Sequence, residues 1–129
     1  RPFALGLNET QVGLVVPEGI QRLMRRVVGP YRAERLLVAG EMVPAERARD
    51  IGLVDELVDQ DNVTTRAVAW LQQLLSLPHH PMLQTRALAR RDLVEALDPG
   101  LIQLERFVDA WHAPDTQAAL RALIEKLKK

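Results

Sequence analysis

Apolar positions recur three and four residues apart over most of this chain, and almost every such run has a marked start. From Pro17, the set Ile20, Leu23, Met24 and Val27 falls on one helical face, with Gln21, Arg22, Arg25 and Arg26 on the other. Ala33, Leu36 and Leu37 predict a second helix and Pro44 to Ile51 a third. Val63, Ala67, Trp70, Leu71 and Leu74 predict a long amphipathic helix ending before Pro78. Three more are expected from about Met82 to Leu97, from Leu101 to His112 and from Asp115 to Lys128. Proline opens one segment after another, at Pro17, Pro30, Pro44, Pro81, Pro99 and Pro114. There its missing N–H is not needed and its fixed φ suits the first turn. Gly29, Gly40 and Gly52 close three segments, where a left-handed cap costs least.

Strand signals are weaker. Phe3 to Glu9 reads as a short strand entering a loop, and Leu53 to Val58, "LVDELV", alternates loosely enough to predict a second. His79-His80, between Pro78 and Pro81, reads as an interhelical turn, since no further histidine or acidic spacing suggests a metal site. Trp70 and Trp111 stand on apolar helical faces, which predicts packing in a core or an interface. The pattern as a whole predicts a mainly α-helical chain with one or two short strands.

Composition then excludes several classes of function. At 129 residues and 47% hydrophobic, the chain is one small domain or part of a larger one. Lys plus Arg and Asp plus Glu both total 17, so no overall field draws it to nucleic acid or to an anionic membrane surface. With no cysteine there are no disulfides, thiolate metal sites or thiol nucleophiles, which fits a reducing compartment. No apolar run approaches the roughly 20 residues that span a bilayer. The first residues show no signal-peptide pattern and no methionine, and they begin inside an extended segment, as an excised piece would.

One stretch stands apart, Gly6 to Gly13, "GLNETQVG". From Phe3 to Val16 the only ionisable side chain is Glu9, set among Leu5, Leu7, Val12 and Leu14. By itself a lone glutamate before a proline-started helix is a solvated or capping carboxylate, and Asn8 beside it a turn residue.

The segment "GLNETQVGLVVPEGIQRLMRRVVGPYRAERLLVAGEMVPAERARDIGLVDELVD", followed by "LERFVDAWHAPDTQAALRALIEKLKK", resembles the second half of a crotonase-superfamily subunit. The similarity covers nearly the whole chain and is most specific from Gly29 to Val58. It implies an α/β crotonase-like fold, a ββα superhelix, in the intact subunit. Residues 1–60 would form the end of that core, with the acidic active-site loop, and 61–129 a C-terminal helical oligomerisation region. The first half of such subunits supplies the strand–strand–helix turns, most of the acyl-CoA pocket and both N–H groups of the oxyanion hole.

The resemblance also assigns roles. Glu9 falls where the family carries a glutamate facing the α-carbon of a bound thioester. Hydratases usually show Pro-Glu there, whereas "LNETQ.G" is similar to the Δ3,Δ2-enoyl-CoA isomerases of fatty-acid oxidation. A single base can take a proton from C2 and return one to C4, and an apolar setting disfavours the charged carboxyl, which suits a proton shuttle. The intermediate dienolate needs donors worth about 3–4 kcal/mol each in other enzymes. Asn8 and Leu7 are implied at the acyl-CoA, and Lys126 and Lys128 at its phosphates, with Arg86, Arg90, Arg91 and Lys129 as further cations. For any one of these the alternative is a solvated helical surface.

The resemblance implies no cofactor, since the coenzyme A thioester is the substrate, and no metal. The implied partners are acyl-CoA and further copies of the chain, in a trimer or hexamer, in the bacterial cytoplasm or the mitochondrial matrix. Two alternatives stand beside isomerisation: an enoyl-CoA hydratase, and an inactive helical assembly module.

Overall fold

The computed structural model describes residues 3–128. A two-residue strand β1 (Ala4–Leu5) leads into a single 3-10 turn at Glu9–Val12 and then into α1 (Glu18–Val28) and α2 (Pro30–Ala39). Strand β2 (Val43–Pro44) returns antiparallel to β1, pairing Ala4 with Pro44 and Leu5 with Val43. The amide of Ala45 donates to the Phe3 carbonyl at 3.1 Å and extends that ladder. From β2 the chain runs directly into α3 (Ala45–Asp50).

Burial decides which of these faces matter. Val16, Met24, Val28, Ala33, Leu36, Leu37, Val43 and Ala48 form one buried cluster, rimmed by Leu5, Leu7, Ile20, Ile51, Leu53 and Val54. This core therefore belongs to the first part of the chain, around the α1–α2 pair and the small sheet. Of the helix-period apolar set in α1, Met24 is buried and Ile20 packs at the rim, while Val27 turns outward and Val28 takes its place in the core.

The remaining helices are α4 (Val63–Leu75), α5 (His79–Ala89), α6 (Arg91–Ala96), α7 (Pro99–Ile102), α8 (Leu104–His112) and α9 (Pro114–Leu127). They are fastened to the core at a few points. Helices α6 and α7 lie against α1, with Ala96 buried. Arg26 of α1 donates to Asp92 Oδ2 and to the Ala89 carbonyl, both at 2.6 Å. Helix α8 packs on α9, and α9 touches the 3-10 turn. Much of the rest is uncovered: Trp70 is 53% exposed and Leu127 78%. A compact monomer of this mass would expose about 6,900 Å², whereas this chain exposes 10032 Å².

Several expectations change. Leu53 to Val58 is not a strand: the amides of Leu53 and Val54 both donate to the Ala48 carbonyl, at 2.8 and 3.3 Å. They close the end of α3, with Leu53 and Val54 packed at the core rim, and the two amides that would begin a ladder are spent there. The predicted strand from Phe3 to Glu9 is hydrogen-bonded as one only at Ala4–Leu5. The helix expected from Met82 to Leu97 is two, broken where Arg90 takes φ −106° and ψ 7°. The helix expected from Leu101 to His112 is also two, broken by Gln103 in the left-handed region. His79 and His80 form the first turn of α5 rather than an interhelical turn, with Pro78 in the capping position.

Candidate functional site

Glu9 is the first residue of the 3-10 turn, preceded by Asn8 at φ −102°, ψ 20° and followed by a left-handed Gly13. The amide of Gln11 donates to the Asn8 carbonyl at 3.0 Å and that of Leu14 to the Glu9 carbonyl at 2.9 Å, so the turn is closed on both sides of Glu9. Leu14, immediately beyond, is buried. Such a short turn has little stability of its own, and its shape comes from its neighbours.

Two side chains fix it to the end of α2. Thr10 Oγ1 donates to the Leu37 carbonyl at 3.1 Å, and Gln11 Nε2 donates to the carbonyls of Gly40 and Ala39 at 2.8 and 3.3 Å. Thr10 shares the Leu37 carbonyl with the Gly40 amide, which donates to it at 3.2 Å, and Gln11 uses carbonyls at the helix end, where intrahelical donors run out. On the opposite side in sequence, Thr116 of α9 donates from Oγ1 to the Gly13 carbonyl at 3.1 Å. The turn is thus held by an early helix and by the last one.

Glu9 itself is half-buried. Its Oε2 is buried and has no hydrogen-bond partner among the described residues, nor does the carboxylate join any of the ion pairs found there. A buried acceptor without a donor costs about 1–3 kcal/mol or more if charged. A cleft of about 140 Å³ lies beside the turn, lined by Thr10, Leu14, Val16, Leu37 and Val38 but not by Glu9. A larger apolar groove of about 620 Å³ between α4 and α5 is likewise separate from Glu9.

The other expected site residues are dispersed. Asn8 supplies backbone to the turn but no side-chain cap. Leu7 is half-buried against the core. Lys126 and Lys128 stand exposed at the far end of α9. Lys128 pairs with Glu125 at 3.2 Å, whereas Lys126 has no ion pair among the described residues. A helix rises about 1.5 Å per residue, which carries Lys126 roughly 15 Å along the axis from Thr116. Lys129 lies outside the described residues. Thr10, Gln11 and Thr116 were not singled out by sequence reasoning, and Gly40 only as a helix cap. The first two adjoin Glu9 in the quoted motif; Thr116, 103 residues from Gly13, has no local signal at all.

With this geometry in view, comparison with known proteins is decisive about kinship. The family model for enoyl-CoA hydratase/isomerase matches residues 2–129. The chain belongs to the enoyl-CoA hydratase/isomerase family. Within it, the mitochondrial enoyl-CoA delta isomerase 1 of Homo sapiens is 28% identical over 128 residues, covering 98% of this chain and 42% of that protein. A probable enoyl-CoA hydratase of Mycobacterium tuberculosis is 36% identical over 83 residues, covering 64% of this chain and 31% of its own length. The crystal structure of human mitochondrial Δ3-Δ2-enoyl-CoA isomerase superposes with a TM-score of 0.83 at 28% identity, over 99% of this chain and 50% of that one. A carnitinyl-CoA hydratase from Mycobacterium avium shares the fold with a TM-score of 0.79 at 21% identity, over 95% and 49%. The chain therefore corresponds to about half or less of these relatives, and the crotonase-like, mainly helical reading of its fold holds.

Proposed function

We propose that the intact subunit shifts the double bond of a 3-enoyl-CoA to give the 2-trans-enoyl-CoA, with Glu9 as the single base and acid. The observation that carries this reading is the Glu9 carboxylate, its Oε2 buried without a donor among the described residues, on a turn held by the side chains of Thr10, Gln11 and Thr116. In the first step the carboxylate takes the proton from C2, and the C2–H electron pair passes into a dienolate with its charge on the thioester oxygen. In the second, the Glu9 carboxylic acid returns that proton to C4 and the double bond settles between C2 and C3. Held near both carbons, one carboxyl serves both transfers, and its pre-orientation lowers the barrier by removing orientational entropy from the step. Donors to the thioester oxygen are assigned to the half of the subunit that this chain does not span.

Further parts of the reading follow from it. The acyl-CoA lies against Asn8 and Leu7, the anionic end of coenzyme A meets Lys126 and Lys128, and no other cofactor takes part. Residues 1–60 complete the catalytic core, while 61–129 join copies of the subunit into a trimer or hexamer. The large exposed surface of the tail supports that division. The human relative's name places that protein in mitochondria; for this chain a mitochondrial matrix or bacterial cytoplasmic setting is part of the proposal.

The test is Glu9→Gln in the intact subunit. Glutamine keeps the size of the side chain but cannot accept the C2 proton, so turnover of 3-enoyl-CoA should vanish while acyl-CoA affinity changes little. Near-normal isomerisation by this variant would remove Glu9 from the chemistry. The similarity to a mycobacterial hydratase favours a second reading, addition of water to a 2-enoyl-CoA. Wild-type subunit that hydrates a 2-enoyl-CoA much faster than it isomerises the 3-enoyl compound would establish that reading instead. A subunit inactive in both assays would leave the assembly role alone.

A further inference from the structure

Thr116 is the one buried polar side chain among the described residues, with 1% of its surface exposed. It stands in the first turn of α9, where a hydroxyl normally finds a partner in its own helix or in water. Instead its Oγ1 donates across the molecule to the Gly13 carbonyl at 3.1 Å. The peptide unit that begins with this carbonyl ends with the amide of Leu14, and that amide donates to the carbonyl of Glu9 at 2.9 Å. One planar peptide is thereby held at both ends, by the Thr116 hydroxyl on its oxygen and by the Glu9 backbone on its nitrogen.

The fit is close as well as polar. A Cβ on Gly13 would lie 2.8 Å from Thr116 Oγ1, and Gly13 has φ +79°, so the turn comes near α9 only because no side chain intervenes. Thr10 and Gln11 tie the turn to α2 alone. Without the Thr116 bond its other edge would rest on packing alone.

We propose that Thr116 is a positioning residue for Glu9, setting the plane of the Gly13–Leu14 peptide and through it the placement of the carboxylate. This rests on the reading of Glu9 as the base, since a proton transfer between two carbons of one substrate is sensitive to position. A misplacement of about 1 Å can cost about 100-fold in rate. Thr116 touches neither substrate nor reacting atom, so its loss should appear in turnover and leave acyl-CoA binding in place.

The experiment compares Thr116→Val, Thr116→Ala and Thr116→Ser with wild type and Glu9→Gln in the intact subunit, reading kcat and KM for a 3-enoyl-CoA. Valine keeps the shape and removes the hydroxyl. Its kcat should fall about 10- to 100-fold with KM within about twofold, and serine should recover kcat to within a few-fold of wild type. If the valine variant does not fold, alanine and serine carry the same comparison. Wild-type kcat without the hydroxyl, or a serine variant as slow as the alanine one, would overturn the proposal while Glu9→Gln stays inactive. An active Glu9→Gln enzyme would instead overturn the reading of Glu9 and this inference with it, through a different variant.

Discussion

Gln11 Nε2 donates to the carbonyl of Gly40 at 2.8 Å, fastening the Glu9 turn to the end of α2. Gly40 sits in the left-handed region at φ 59° and ψ 35°, which lets its carbonyl lie beyond the last helical turn. A side chain there would collide with the turn it supports: its Cβ would come 2.7 Å from Thr10 Oγ1 and 2.8 Å from Gln11 Cγ.

Gly40→Ala should therefore act on stability and on turnover together. The left-handed conformation alone costs about 1–2 kcal/mol for a residue with a Cβ, and the contacts to Thr10 and Gln11 add to it. A lower thermal midpoint with reduced kcat is expected in the intact subunit. Unchanged kcat in a folded Gly40→Ala protein would show that the turn adjusts without moving Glu9.

The two faces of α2 should respond differently to truncation. Leu36 is buried in the core, so Leu36→Ala should cost about 2–5 kcal/mol of unfolding free energy. Val38, 73% exposed on the same helix, should cost within about 0.5 kcal/mol when changed to alanine. Urea unfolding of the two variants decides it; equal losses would mean the outward face of α2 is covered too.

Glu56 offers a pH test remote from the Glu9 turn. Arg66 donates to both of its carboxylate oxygens, at 2.6 and 2.7 Å. That hydrogen bonding is the largest cause holding the Glu56 carboxyl below its ordinary range; desolvation opposes it, and the positive charge of Arg66 adds a smaller lowering effect. A carboxyl with a depressed folded-state pKa stabilises the fold above its unfolded pKa. That contribution is lost as pH falls through the folded value. The pair is exposed to solvent, so the visible effect is local. In a carboxyl NMR titration Glu56 should protonate at lower pH than other exposed glutamates, and Arg66→Ala should abolish the difference. A Glu56 that titrates with the rest would remove the pair.

The exposed apolar faces of the C-terminal helices should make the isolated 129-residue chain self-associate. Leu104, Val108 and Trp111 on α8, and Leu123, Ile124 and Leu127 on α9, are all exposed. Light scattering should report species heavier than the 14.5 kDa chain. A strictly monomeric sample at high concentration would contradict this.

How far the sequence could be read depends on where each element finds its partners. Helices α1, α2, α4 and α9 carry their own signals, apolar spacing of three and four with proline before them or at the first helical position in three of the four. The break at Arg90 has neither glycine nor proline to announce it, and Gln103 is a non-glycine residue at positive φ, so one long helix was the natural expectation in both places. Strand β2 is two residues ending in proline, defined only by its pairing with β1. "LVDELV" alternates like a strand but has no ladder to join. At the candidate site, the motif around Glu9 draws notice to the carboxylate and its flanking residues. The acceptors on α2 and the hydroxyl on α9 depend on tertiary approach, which no local pattern records.

The bond from Thr116 to Gly13 closes a span of 103 residues, while the core around α1 and α2 is built from residues below position 55. Loop closure over such a span costs entropy that grows with the logarithm of its length, and non-local contacts recover that cost only once the ends have met. On a chain made from the N-terminus onward, the core can condense while α9 is still unmade, and the Glu9 turn acquires its last restraint only when α9 arrives. The order of construction thus couples the finished carboxylate to the arrival of α9. A chain halted before α9 would keep a buried core and hold Glu9 on one side only.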